Sequence, residues 1–318
     1  MDTLSRLIDL ARPQCSLDLR CLLTGGFDID HTPMEAGIAP FHLVLGGSCV
    51  VETADGARIA LGAGDFMLFP RGAAHRVRDV QQAPAIAPLT LSDDGMLPLR
   101  RNNDDSSDLQ GRGGADLDLL CGRFVYAPGS SALLLNALPD PFHVSLGGVQ
   151  TLGALQTVIA LMRAEAEQRQ PGALAIVTAL SHALFAMALR VHGERNAAGS
   201  GVLALLADAR LGASVQGMLA APERAWTIAD LGELAAMSRA TYARRFSERA
   251  GITVMDFLTQ IRMTIACDLL RRTQRSAAEI GEAVGYQSEA AFGKAFQQSV
   301  GVTPGRYRRQ PQENDQRT

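Results

Sequence analysis

The feature that most constrains this chain is a repeat. Ser238, Tyr242, Phe246, Gly251 and Thr253 recur fifty residues later as Ser288, Phe292, Phe296, Gly301 and Thr303. The preceding pieces, LGELAAMS and IGEAVGYQS, align too, with one extra residue in the second. Each unit reads as a short apolar helix, a tight turn ending in Ser, and a second helix closed by Gly. A serine before a helix accepts a hydrogen bond from its unpaired N–H groups, and Gly adopts the left-handed conformation that ends one. Two helices joined this way are a helix-turn-helix. Between the units, TVMDFLTQIRMTIACDLLRRT keeps Met255, Leu258, Ile261, Ile265 and Leu269 at helical spacing, which predicts one long connecting helix.

A helix-turn-helix inserts the N-terminal part of its second helix into the DNA major groove. Its inward residues should be apolar and its outward ones polar or small. In the first unit Tyr242 and Phe246 face inward, leaving Arg239, Ala240, Thr241, Arg244 and Arg245 outside. In the second, Phe292 and Phe296 face inward, leaving Ser288, Glu289, Ala290 and Lys294. Arg pairs bidentately with guanine, and small residues allow close approach or contact with the thymine methyl. The second helix has one basic outward residue and is expected to read less sequence. Charge agrees: residues 208–318 carry a net +3 and residues 1–207 a net −6. A basic third on an acidic body points to a polyanionic partner.

Residues 208–309 resemble the DNA-binding domain of AraC/XylS-type transcriptional regulators. The family's terminal signature is present as VGYQSEAAFGKAF and as GVTPGRYRR, Gly301 to Arg309. The resemblance implies promoter DNA as a partner, recruitment of RNA polymerase, and usually activation. It puts Arg239, Ala240 and Arg244 at base edges in the first unit, and Glu289, Ala290 and Lys294 in the second.

The remaining chain has a different character. A length of 318 residues suggests two domains, and 47% hydrophobic residues suffice for a packed core. Five cysteines are too few, and odd in number, for a disulfide scaffold. The opening MDTLSRLIDLARPQ has no long apolar run, so it is not a secretory signal and the cytoplasm is expected. Residues 1–11 read as an amphipathic helix. Short apolar runs over 16–91, broken by turns such as Asp55-Gly56, read as strands. Residues 92–118 are polar and Gly/Asp-rich and read as a disordered inserted loop. LLCGRFVYA resumes the β pattern, and helices follow from about 150. The apolar stretch Ala173–Val191 approaches a membrane span in length, but its polar residues favour a buried or subunit-interface helix, with no membrane partner. The expected fold class is α+β with two domains: a sensor and dimerisation domain over 1–195, a linker over 196–207, a DNA-binding domain over 208–310 and a disordered tail over 311–318.

GDFMLFPRGAAH, Gly64 to His75, resembles the second cupin motif, with Pro-x-Gly as a tight turn and His75 facing a barrel interior. The first cupin motif is fragmentary: His42 is present, but Val44 stands where a second His would be. That, and the lack of a carboxylate beside His42, argues against a metal-dependent oxygenase, so no enzyme activity is expected. Cys49 and Cys267 read as inert core residues, and Cys15 as near the surface.

The segments around Cys21, His42, His75 and Cys121 resemble the cupin-type, reactive-chlorine-sensing group of AraC-type activators. The resemblance implies Cys21 and Cys121 as oxidant sensors. No cofactor is required on this reading, and a homodimer is expected. Two alternatives remain open: a small organic effector in the barrel, or a Cys₂His₂ zinc site of Cys21, His42, His75 and Cys121. A nearby His would lower a thiol pKa and raise its reactivity.

Overall fold

The computed structural model describes residues 2–85, 87–93, 96–102, 116–127, 129, 133–135, 137–146, 152–196 and 199–310. In chain order the described elements are α1 (Thr3–Ala11), β1 (Gln14–Leu23), β2 (Asp28–His31), β3 (Ile38–Thr53), β4 (Arg58–Gly62), β5 (Asp65–Leu68) and β6 (His75–Arg78). Then come β7 (Thr90–Asp93), β8 (Pro98–Arg101), β9 (Leu117–Val125), β10 (Phe142–Ser145), α2 (Leu152–Gln168) and α3 (Ala173–Arg195). Last are α4 (Val202–Ala207), α5 (Ala209–Ala220), α6 (Ile228–Leu234), α7 (Arg239–Ala250), α8 (Val254–Arg272), α9 (Ala277–Ala283), α10 (Glu289–Val300) and α11 (Pro304–Arg309). Two units result, a sheet unit of Pro13–Tyr126 and Leu138–His192, and a helical unit of Met1–Arg12, Ala127–Ala137 and Gly193–Thr318.

The sheet unit is built around β3. Its sixteen residues run in order through one sheet, β10-β5-β3-β9-β1-β8-β7, and also pair with β4 and β6 on a second path that ends at β2. A strand shared by both paths curls the sheet around an interior. That interior is lined by Cys21, Val44, Cys49, Val51, Met67, Phe69, Val77, Leu119 and Cys121, all buried. Alternation sends the intervening residues to the other face, where Arg20 donates to both carboxylate oxygens of Asp118 at 2.9 and 2.8 Å and to the Ala166 carbonyl of α2 at 3.1 Å. This buried pair fixes β1 and β9 to each other and to α2.

The helical unit follows the capping rules. Ser238 and Ser288 accept from Thr241 N–H and Ala291 N–H at the starts of α7 and α10. Gly251 and Gly301 end those helices at φ 75° and 83°. Thr227 with Asp230, and Ser276 with Glu279, form capping boxes at α6 and α9. Gly232 and Gly281 let the two helices of each unit approach. A Cβ there would stand 3.0 Å from Met237 O and from Phe292 Cβ respectively. Each turn passes through one left-handed residue, Ala236 at φ 51° and Gly285 at φ 85°, and the extra residue of the second turn, Gln287, comes just before Ser288. Tyr242 and Phe246, then Phe292 and Phe296, are fully buried, and Tyr242 Oη donates to Ser214 Oγ at 2.9 Å.

Several expectations are corrected. Residues 92–118 are not one loop: Pro98–Arg101 is a strand pairing in parallel with β1, and β7 pairs with it in turn. Residues 103–115 lie outside the described residues, as does the expected tail 311–318. The expected linker contains helix α4, whose Val202, Leu203, Ala204 and Leu205 are buried. Residues 1–12 and 127–137, expected in the sensor domain, belong to the helical unit, where Leu7, Leu10 and Ala11 of α1 are buried and α1 packs against α5 and α8. The connecting helix α8 exists, but Met255 is exposed. Its second half is buried almost all round, because α9 and α11 pack against it as well as α7. The Ala173–Val191 stretch lies in α3, which is long and apolar enough to span a membrane by length and composition alone. Val177, Leu184, Phe185, Ala188 and Leu189 of α3 are buried, while Leu174 and Ile176 are exposed.

Candidate nucleic-acid interface and thiol–imidazole cluster

Arg239, Ala240, Thr241, Arg244 and Arg245 are exposed along the first two turns of α7. Ser288, Glu289, Ala290 and Lys294 are exposed at the corresponding positions of α10. Their exposure follows from what is buried: the aromatic residues four apart fix one face of each helix inward, so the other face is outward. Arg244 donates to Glu248 at 3.0 Å, an exposed i,i+4 pair that holds the guanidinium along the helix until a stronger acceptor displaces it. Arg239 and Arg245 carry further positive charge on the same helix. α10 offers Lys294 against Glu289.

The sheet interior holds the second constellation. Cys21 lies in the second half of β1 and Cys121 in the middle of β9. Cys21 is opposite Leu119 and Cys121 opposite Leu19, so the two are diagonal neighbours on one face of the antiparallel β1–β9 pair. Both side chains belong to the buried interior of the sheet. All five cysteines are free. On the other side of Cys121, β3 places His42 directly opposite. His42 Nδ1 is 3.2 Å from Cys121 Sγ, and its Nε2 is 2.7 Å from His75 Nε2. His75 Nδ1 is 2.9 Å from the Ala73 carbonyl, so it is the donor there and its Nε2 is a lone pair in the neutral ring. The neutral cluster therefore has one direction. Cys121 S–H donates to His42, His42 Nε2–H donates to His75, and His75 Nδ1–H donates to Ala73 O.

A third imidazole completes the cluster. β2 pairs with β6 so that His31 is opposite His75. The His31 ring stacks on His75 at 4.6 Å and 7°, and Phe69 covers the other face of His75 at 3.7 Å and 8°. No motif marked His31. The available signal was the alternation Ile29–His31 in a four-residue strand, which puts His31 on the same inward face as a core residue.

Burial controls the charges. Desolvation pushes His31 down to about 3, and holds His42 well below and His75 below the ordinary histidine range, so all three are neutral at neutral pH. The Cys121 thiol is held well above its ordinary value, first by the hydrogen bond with Cys21 and then by burial. The expectation that a neighbouring His would lower a thiol pKa is thus reversed for Cys121: a neutral imidazole supplies no charge to stabilise a thiolate. Burial pushes Cys49 and Cys267 to about 12, in keeping with inert core thiols. Cys15 is half-buried and also pushed up to about 12 by burial. The four residues of the expected zinc tetrad do gather, but not around one point. His42 turns Nδ1 to Cys121 and Nε2 to His75, so no single ion can take His42 together with both of those partners.

A capped helix-turn-helix repeat and a curled sheet enclosing buried imidazoles and thiols define a two-domain, DNA-binding transcriptional regulator with a cupin domain, α+β in class. Residues 2–194 match the cupin family and residues 231–310 the helix-turn-helix domain family. The chain belongs to the cupin-domain group of AraC-type helix-turn-helix transcriptional regulators. It is similar to the HTH-type transcriptional regulator MtrA of Neisseria gonorrhoeae, 33% identical over 98% of this chain and 99% of that one. An uncharacterized HTH-type transcriptional regulator of Haemophilus influenzae is 32% identical over 97% of this chain and 99% of its own. The RCS-specific HTH-type transcriptional activator RclR of Escherichia coli is 29% identical over 97% of each.

Proposed function

We propose that this protein is a cytoplasmic, promoter-binding transcriptional activator switched by oxidation of Cys21 and Cys121. The observation that carries the switch is the placement of Cys121, a diagonal neighbour of Cys21 on the inward face of β1 and β9, with His42 Nδ1 3.2 Å from its sulfur. A strong oxidant such as hypochlorous acid converts one thiol to a sulfenyl chloride, releasing water. The second thiol then displaces chloride, forming the S–S bond and releasing a proton. The buried Cys121 thiol, held well above its ordinary pKa, is quiet toward mild oxidants, which sets a high threshold.

Diagonal neighbours on a sheet stand about 7–8 Å apart at Cα, beyond the usual disulfide span of about 4.4–6.8 Å. Closing the bond therefore draws β1 and β9 together and disturbs their register. Both strands run directly into the helical unit along the chain: α1 precedes β1, and residues 127–137 follow β9. A shift in this strand pair biases the arrangement of the DNA-binding helices, a population shift between two states. Arg239, Ala240, Thr241, Arg244 and Arg245 read bases or phosphates through α7, and Ser288, Glu289, Ala290 and Lys294 do so through α10. RNA polymerase is the second partner. A second copy of the chain docks on α2 and α3, where Leu161, Leu174 and Ile176 are exposed.

The test is promoter titration and transcription in vitro with reduced protein, oxidised protein and the Cys21→Ser variant. Oxidation should raise transcription from the target promoter in the wild type and leave the variant at the reduced level. Equal response of both proteins would reject the switch.

A further inference from the structure

The connecting helix α8 packs against α7 of the first repeat unit and against α9 and α10 of the second. Midway along it, the half-buried Arg262 reaches the loop 221–226 that leads into α6. Its Nε donates to the Pro222 carbonyl at 2.8 Å, and its Nη2 to the Arg224 carbonyl at 2.9 Å. The loop is braced within itself: Trp226 Nε1 donates to Ala221 O at 2.8 Å, and the Arg224 guanidinium lies over the Trp226 ring at 4.1 Å. The next residue, Thr227, opens the capping box of α6. The same Arg262 guanidinium also meets the second unit. A Cβ on Gly285, in the turn between α9 and α10, would stand 2.7 Å from Arg262 Nη2 and 2.7 Å from Glu223 O. Arg262 Cζ is 5.9 Å from the Tyr286 ring centre, and that ring meets Phe292 of α10 edge-on at 5.8 Å.

We propose that Arg262 is a positioning residue for operator reading: it locks the entry loop of the first unit to the turn of the second, so that α7 and α10 meet DNA at one fixed separation and rotation. This role rests on the reading that both helices enter the major groove, and it names what sets their spacing. The guanidinium suits it. A planar fork meets two carbonyls at once and holds its charge at every pH the protein meets, whereas a lysine brings one flexible point charge. Without Arg262, α8 still supports both units, but the loop carbonyls and the Gly285 turn lose the group that joins them. Major grooves on one face of the duplex recur every 10–10.5 base pairs, about 34–36 Å. One inserted base pair therefore moves a half-site by about 3.4 Å and turns it by about 35°. A rigid pair of helices does not follow that change, and a loosened pair does. Arg262 thus makes the protein discriminate between operators that carry the same two half-sites at different spacings.

An operator is selected from random-sequence duplex DNA with the full-length protein, and its sequence blocks are located by footprinting. Binding is then followed by fluorescence anisotropy on three kinds of duplex: the intact operator, operators with either block scrambled, and operators with one base pair inserted or removed between the blocks. The wild type should lose about tenfold or more on either spacing change. Arg262→Met, which keeps the apolar stem, should bind the intact operator about tenfold more weakly yet lose less than about threefold on the spacing changes. Its affinity for each single block should stay within about twofold of the wild type, and Arg262→Lys should fall between the two. A merely structural role would weaken single blocks and intact operator alike and leave the spacing penalty in place. Thermal unfolding checks the fold of Arg262→Met. If it does not fold, Gly285→Ala, whose Cβ would part Glu223 O from Arg262, should show the same relaxed spacing. A wild type indifferent to spacing would overturn the role, as would a folded variant that keeps the wild-type penalty. An operator with one block only would reject both this role and DNA reading by α10, whereas two blocks with an unchanged penalty would reject Arg262 alone.

Discussion

His31, His42 and His75 form the buried imidazole cluster of the sheet unit, and burial governs their charge. Their pKa values are lowered by folding, so the unfolded chain binds more protons than the folded one below about pH 6.5. Stability is then fully present above that pH and is lost as pH falls from the ordinary histidine value of 6.5 toward about 3 for His31. Each such histidine contributes a slope of up to about 1.4 kcal/mol per pH unit. Denaturant unfolding followed from pH 7 to pH 5 should show a fall that becomes shallower in His31→Asn. A pH-independent midpoint would mean the rings are hydrated. In the DNA-binding domain, Arg244→Ala should weaken specific promoter binding by about 1–3 kcal/mol, measured by fluorescence anisotropy. Unchanged affinity would remove Arg244 from the reading face. His42 and His75 were marked by the spacing of the cupin motifs, and Cys21 and Cys121 by the resemblance to the chlorine-sensing group rather than by any local pattern. His31 was not, because register across β2 and β6 is a long-range property that a four-residue strand does not announce.

Among the elements, the helices of the repeat were read most fully, since caps and aromatic spacing are local signals. Ser288→Ala should cost about 1 kcal/mol of stability. Gly281→Ala should cost more than an ordinary exposed helix change, because the new Cβ would meet Phe292 Cβ at 3.0 Å. Urea titrations of both variants give the ordering, and an innocuous Gly281→Ala would show that α9 and α10 can separate freely. Strand β8 was missed: Pro98 and the flanking polar residues carry turn chemistry, and its parallel pairing with β1 leaves no local trace. The Arg20–Asp118 pair was missed for the same reason, its partners being ninety-eight residues apart. Asp118→Ala leaves a buried guanidinium without its main counter-charge and should destabilise the fold by about 3–5 kcal/mol. A loss below 1 kcal/mol would mean that Glu167, 4.0 Å from Arg20, takes over.

For the molecule as a whole, the two-domain α+β organisation was readable from the chain length and from the helical repeat that follows a β-patterned first half. The interleaving of the units was not. Leu7, Leu10 and Ala11 give α1 one apolar face, but nothing local states which core receives it, and that core is the helical one. The strands that carry Cys21 and Cys121 both continue along the chain into the unit that holds the DNA-binding helices, which is the route the proposed switch would use. The claim that those two thiols join is tested most directly by non-reducing peptide mapping before and after near-stoichiometric hypochlorous acid. The account predicts a Cys21–Cys121 crosslink that appears on oxidation and disappears on reduction. Oxidised protein that answers at the promoter while Cys21 and Cys121 remain free thiols would contradict it.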